Sequence, residues 1–122
     1  MEKEFLKYKE ALDLKELGFD EPCLAHFNGT EIELILMSDI DDIDDVKLLS
    51  PLWQHAFRWF RKKYNIEGVT EKSESYSWFK YKVYEYHDPE EKIQISGGME
   101  YVSYEEAELA CLRRLIEIVK NQ

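Results

Sequence analysis

One stretch of strict alternation constrains the fold of this chain more than any other segment. It runs from Tyr76 to His87 and reads Tyr-Ser-Trp-Phe-Lys-Tyr-Lys-Val-Tyr-Glu-Tyr-His. Because successive side chains of a β-strand point to opposite faces, the segment predicts a strand with two chemically different faces. Phe79, Tyr81 and Val83 give one face the apolar character of a core. The members of the other face are aromatic or cationic: Trp78, Lys80, Lys82, Tyr84 and Tyr86.

Length and composition indicate one folded domain. The 122 residues are 44% hydrophobic and 14% aromatic, which is enough to build a single hydrophobic core. We therefore expect one domain over residues 1–122. The first residues lack the pattern of a signal peptide, and no apolar stretch has the length of a membrane helix. These features predict a cytoplasmic protein that does not associate with membranes.

The charge of the chain argues against nucleic acid as a partner. The formal net charge is −10, and five acids lie between Asp39 and Asp45. Without these five the chain is still acidic. Binding to phosphate backbones depends on an excess of lysine and arginine, so the composition disfavours general affinity for nucleic acid.

The first half of the chain predicts a helix and a hairpin. Apolar residues at helical spacing predict a helix from Tyr8 to Leu17, and Gly18 follows where helices commonly end. Strands over 23–27 and 32–37 flank Asn28-Gly29, a strong hairpin signal. An acidic loop is expected over residues 38–49.

The second half predicts two further helices around a second hairpin. Ser50-Pro51 is typical of a helix start and opens a helix that runs to about Tyr64. A polar connection is expected over residues 65–75. The alternating strand then pairs with residues 92–96, and Gly97-Gly98 is expected to end that strand. Ser103 begins a capping box that opens the last helix, which runs to about Lys120.

These elements predict an α+β protein in the order α-β-β-α-β-β-α. Two hairpins can join into one four-stranded antiparallel sheet, and the helices need its apolar face to bury their own. We therefore expect a two-layer domain with the helices mainly on one face. Glu31, Glu33, Lys92 and Gln94 are expected to share the other face with the aromatic and cationic side chains.

Three segments resemble a family of small uncharacterised proteins encoded by Bacteroides-type gut bacteria and by their phages or prophages. These segments are Leu14–Cys23, Ala56–Arg61 with Lys63-Tyr64, and Ser103–Glu117. The family has no established activity, so the resemblance implies no catalytic or binding residue. It implies a small accessory protein of viral or mobile-element origin that is made in a bacterial cytoplasm.

Metal, cofactor and catalytic motifs are weakly represented. Asp39, Asp41 and Asp42 supply carboxylates, but the run lacks the glycine and the final glutamate of a calcium loop. They are weak metal candidates, and a solvated acidic loop or a nucleic-acid mimic are the alternatives. No phosphate loop, dinucleotide fingerprint or nucleophile motif occurs. We predict a protein without cofactor or metal that is not an enzyme.

Binding candidates lie on the alternating strand and on the second helix. Cross-strand pairing with glutamate would explain Lys80 and Lys82 without any ligand. It does not explain Trp78, Tyr84 and Tyr86, which together would form an exposed patch of the kind that usually marks an interface. Arg58 could meet an anion, and Trp59 lies beside the apolar stripe of its helix, where we expect it to be half-buried. The leading hypothesis is a non-enzymatic module, homo-oligomeric or bound to a protein partner, that modulates a host factor, defence inhibition being one version. The alternative is a protein that sequesters a nucleotide-like anionic ligand.

Overall fold

The computed structural model describes residues 5–21, 23, 25–28, 31–34, 49–73 and 78–122. Its elements are α1 (Tyr8–Glu16), β1 (Ala25–Asn28), β2 (Glu31–Leu34), β3 (Leu49–Ser50), α2 (Trp53–Tyr64), β4 (Ile66–Lys72), β5 (Phe79–Asp88), β6 (Glu91–Tyr101) and α3 (Tyr104–Lys120). The α+β class is therefore confirmed. Two compact units are present, Met1–Ala56 and Phe57–Gln122, and the prediction of one domain stays a prediction.

The first unit contains the predicted hairpin. β1 and β2 pair antiparallel, and Asn28 lies opposite Glu31, so two residues connect the strands. β3 pairs with the other edge of β1, which gives a three-stranded sheet in the order β2-β1-β3. The predicted helix is also present and ends at the predicted glycine, since the Phe19 N–H donates to Leu14 O and the Gly18 N–H to Lys15 O. This pair of bonds is a Schellman motif.

The predicted start of the second helix is wrong. Ser50 belongs to β3 and lies opposite Ala25, and the carbonyl of Pro51 accepts a hydrogen bond from the Leu6 N–H. These extended pairings hold the segment that local signals assign to the helix, so α2 begins at Trp53. Residues 38–48 of the predicted acidic loop lie outside the described residues, and residue 49 belongs to β3.

The second unit contains an antiparallel sheet in the order β4-β5-β6. The single four-stranded sheet is not confirmed, because the two hairpins of the described residues lie in two separate three-stranded sheets. Glu31 and Glu33 belong to β2 and therefore to the sheet β2-β1-β3, and not to the sheet that contains β5. Lys92 and Gln94 belong to the sheet of β5, where they lie opposite Tyr86 and Tyr84.

The polar connection predicted over residues 65–75 is wrong, because Ile66–Lys72 forms β4 and pairs with β5 along its whole length. Most residues of this strand are polar, so the sequence pattern does not indicate a strand, although Ile66 is fully buried. A Cβ at Gly68 would lie 2.6 Å from Cys111 Sγ and 2.9 Å from Phe57 Cε1. The glycine thus lets α3 and Phe57 of α2 approach the same face of the sheet closely.

The last strand is longer than predicted. β6 continues through Gly97 and Gly98, which lie opposite Lys82 and Tyr81, and it ends at Tyr101 opposite Phe79. The ladder has register shifts on both sides of this segment, which is typical of β-bulges. Cross-strand pairing therefore overrides the local tendency of two glycines to end a strand.

The capping box predicted for the last helix is confirmed in a modified form. Ser103 Oγ accepts a hydrogen bond from the Glu106 N–H, while Glu106 Oε2 accepts one from the Val102 N–H. α3 then packs on β4, β5 and β6. Its buried side chains are Ala107, Cys111, Leu112, Leu115, Ile116 and Val119. None of the described helices has the length and apolar character needed to cross a membrane.

Candidate functional site

β5 has the two faces that its alternation predicts. Tyr81 and Val83 are buried on the side of α3. The opposite face of the second sheet is formed by Lys80, Lys82, Tyr84 and Tyr86 together with their cross-strand neighbours on β4 and β6, and we call it the open face. The charge and polarity of the open face therefore depend on residues of β4 and β6 as well as on β5.

The two lysines of the open face share one carboxylate. Glu71 Oε1 lies 3.0 Å from Lys82 Nζ and 3.5 Å from Lys80 Nζ. The hydrogen bond from Lys82 and the charges of both lysines hold the pKa of Glu71 below its usual range. Cross-strand pairing of glutamate with lysine was expected on this face, and the glutamate that provides it lies on β4. The lysine charges are thus partly compensated within the sheet.

The two tyrosines of the open face are also engaged with neighbouring side chains. Lys92 Nζ lies 4.5 Å from the centre of the Tyr84 ring, a cation–π contact. The Tyr86 hydroxyl donates a hydrogen bond to Glu67, and that bond raises the pKa of Tyr86. Acids and cations therefore alternate with aromatic rings over this face, and no single sign of charge dominates it.

A shallow cleft of about 460 Å³ lies beside Tyr86 at the hairpin end of the sheet. Its lining residues are Arg61, Asn65, Tyr86, His87, Asp88 and Pro89. Asp88 Oδ1 accepts hydrogen bonds from the N–H groups of Glu90 and Glu91, and the His87 ring lies 3.8 Å from a Glu85 oxygen. Because Asp88 lines the cleft with Arg61, and Glu67 is bonded to the Tyr86 hydroxyl at its edge, the surroundings of the cleft do not favour an anion.

Of the two candidates on the second helix, one is buried and the other is exposed. Trp59 is 4% exposed, so the expectation that it is half-buried is wrong. Its ring packs edge-on against Phe60 and Tyr64, and Lys63 Nζ lies 5.1 Å from its centre. Arg58 is exposed on α2. The sequence pattern places Trp59 beside the apolar stripe of its helix, but the burial of Trp59 depends on the side chains that pack around it.

A second cluster lies where β5 begins and β6 ends, and of its residues the sequence predicted only Trp78 as a binding candidate. Trp78 precedes Phe79, which lies opposite Tyr101, and Val102 follows Tyr101. Four large apolar side chains flank this pair, and we call them the apolar end of the sheet: Trp78, Met99, Val102 and Tyr104, which are 42%, 62%, 70% and 43% exposed.

The apolar end is held in place by the elements around it. The Ser73 N–H donates to Trp78 O and extends the β4–β5 ladder to that tryptophan. The Tyr104 ring packs edge-on against Phe79 with 6.1 Å between ring centres. Val102 lies in the bend that Ser103 and Glu106 stabilise. The exposed side chains therefore project from a backbone that hydrogen bonds define, as a binding surface requires.

Metal binding has no support in the described part of the chain. Asp39, Asp41 and Asp42 lie outside the described residues. Among those that are described, no group of three or more histidine, cysteine, aspartate or glutamate side chains is placed to hold a metal ion. Cys23 and Cys111 are buried free thiols, and burial raises the pKa of each to about 12.

Comparison with protein-family models, curated proteins and solved structures gives no significant match to this chain.

Proposed function

We propose that this chain is a non-enzymatic protein-binding module that uses the apolar end of the second sheet as its recognition surface. The observation that carries the proposal is the exposure of Trp78, Met99, Val102 and Tyr104 at one end of a single sheet. Large apolar side chains that are exposed together mark interaction sites more often than they mark free surface. Tryptophan and tyrosine are also the residues that most often dominate the energy of protein interfaces.

The open face supports a protein partner more than a nucleotide-like ligand. Lys80 and Lys82 already share Glu71, and Lys92 lies over the Tyr84 ring, so a phosphate would have to compete with existing partners. A mixed surface of paired charges and aromatic rings is typical of the polar rim of a protein interface. The partner in this proposal is a host protein, which the chain modulates as a phage or mobile-element accessory protein in the bacterial cytoplasm.

Site-specific photo-crosslinking in the producing cells tests this function. We place p-benzoylphenylalanine at Val102 in one variant and, as the control, at Ile93 in another. Ile93 is also an exposed apolar residue of β6, but it lies toward the hairpin, opposite Glu85. The proposal predicts a discrete adduct from position 102 that is absent from position 93. A product of twice 14.6 kDa would identify a second copy as the partner. Equal adducts at both positions, or none at 102, would contradict the proposed surface.

A further inference from the structure

Several carboxylates lie close to the apolar end in the sequence, around the start of α3. Glu105 and Glu106 lie in the first turn of α3, Glu108 follows in the next, and Glu100 precedes the end of β6. Glu106 is engaged by the Val102 N–H. Among the described residues, none of the other three carboxylates forms an ion pair. Two cations lie nearby along the strands: Lys80, which follows Phe79 on β5 and is paired with Glu71, and the exposed Lys72, which lies opposite Phe79. Carboxylates therefore outnumber cations around the apolar end.

The helix dipole explains only part of this cluster. Acids in the first turn of a helix are favoured by the partial positive charge at its N-terminus, which accounts for Glu105 and Glu106. Glu100 lies in a strand and gains nothing from the dipole. Glu108 is half-buried three residues after Glu105, where like charges repel. Desolvation and the charge of Glu105 raise the pKa of Glu108. A cationic partner would relieve this repulsion.

We infer that the apolar end binds a cationic amphipathic segment of the partner protein, in which apolar anchors are flanked by lysine or arginine. The anchors would contact Trp78, Met99, Val102 and Tyr104, and the cations would meet Glu100, Glu105 and Glu108. Charge complementarity of this kind selects the partner and increases the rate of association. The net charge of −10 steers such a segment toward the chain from a distance. This inference rests on the proposed function and names the chemistry of its partner.

Two matched model peptides test the inference without knowledge of the natural partner. The first is a short amphipathic peptide of leucine, tryptophan and lysine, and the second has glutamate in place of every lysine. Their affinities for the intact chain are measured by fluorescence anisotropy at low and high salt. We expect the lysine peptide to bind at least about tenfold more tightly than the glutamate peptide, and salt to reduce the difference.

Paired charge variants separate the site from the overall charge. Glu105→Gln with Glu108→Gln removes two charges at the apolar end, and Glu90→Gln with Glu91→Gln removes two at the turn between β5 and β6. We expect the first pair to weaken binding of the lysine peptide about tenfold and the control pair less than about twofold. Equal losses in both pairs would show that only the net charge attracts the peptide, and would overturn the inference.

Val102→Ser distinguishes failure of the inference from failure of the proposed function. If the two peptides bind equally and Val102→Ser weakens both, the apolar end binds protein segments without selecting cations, and only the inference is overturned. If Val102→Ser weakens neither peptide, the surface itself is misassigned and both proposals are contradicted. Circular dichroism of each variant confirms that the fold is retained, since all the substituted side chains except Glu108 are exposed.

Discussion

Gly68 lies directly against Cys111, since a Cβ at Gly68 would come within 2.6 Å of Cys111 Sγ. Phe57 and Leu115 close the same space from other directions. Gly68→Ala must therefore displace packed side chains, and we expect it to reduce the free energy of unfolding by about 1–3 kcal/mol. Urea denaturation measures the change.

Gly97→Ala is the matched control for this substitution. A Cβ at Gly97 would meet Gln94 Nε2 at 3.1 Å, which is the flexible end of an exposed side chain, and Tyr81 O at 3.4 Å. We expect a change of less than about 1 kcal/mol. Equal destabilisation by both substitutions would show that loss of glycine in a strand matters, and not the close approach of Gly68 to α3.

Much of the fold could be predicted where the signals are local. Gly18 ends α1 through a Schellman motif, Ser103 caps α3, and the Asn28-Gly29 signal correctly predicts a hairpin, although Asn28 itself belongs to β1 and pairs with Glu31. The two helix caps act through hydrogen bonds within a few residues, and the hairpin through a short connection. The buried face of β5 was predicted for the same reason, because alternation within one strand assigns Tyr81 and Val83 to it.

The remaining features depend on residues far apart in the sequence. β4 has the composition of a polar connection partly because it contains Gly68. The structure requires a glycine there because Cys111, 43 residues later in the sequence, leaves no space for a side chain. Ser50 signals a helix start but pairs with Ala25. The apolar end was missed because the exposure of Met99 and Val102 depends on how far α3 covers the sheet. Trp78 was found because the strand pattern alone separates it from the core face.

Buried thiols give the protein a predictable loss of stability at high pH. Burial, and to a smaller extent the charge of Glu108, raises the pKa of Cys111 to about 12. An unfolded thiol loses its proton above about pH 9, while the folded thiol keeps it. The unfolded state then binds fewer protons, so stability is retained below about pH 9 and falls as the pH rises further, by at most about 1.4 kcal/mol per pH unit for each thiol.

Cys111→Ala should make this decline shallower. We measure the free energy of unfolding by urea denaturation at intervals between about pH 8 and about pH 9.5, where most tyrosine hydroxyls are still protonated. The cavity left by the sulfur lowers the stability of the variant at every pH, so the comparison uses the slopes and not the absolute values. Identical slopes for the two proteins would contradict the assignment.

The carboxylate that joins the two lysines of the open face has a testable titration. The pKa of Glu71 lies below its usual range chiefly because of the hydrogen bond from Lys82. We expect Lys82→Met to raise the pKa of Glu71 more than Lys80→Met does, since the Lys82 distance is 3.0 Å and the Lys80 distance 3.5 Å. Carbon NMR of the side-chain carboxyl group follows the titration.

Lys92→Met serves as the control for the Glu71 titration. Lys92 lies on β6, over the Tyr84 ring, whereas Glu71 lies on β4, so removal of Lys92 should leave the pKa of Glu71 unchanged. The opposite order for Lys80 and Lys82, or an equal effect of all three substitutions, would show that long-range charge and not the Glu71 contacts sets this pKa.

The affinity of the purified chain for the partner captured at position 102 tests the central claim most directly. Isothermal titration calorimetry compares Trp78→Ala and Val102→Ala with Ile93→Ala, which removes an exposed apolar side chain toward the other end of the same sheet. If the apolar end is the recognition surface, Trp78→Ala and Val102→Ala each weaken binding by about tenfold or more, while Ile93→Ala changes it by less than about twofold. Unchanged affinity in both apolar-end variants, or an equal loss in Ile93→Ala, would contradict the claim.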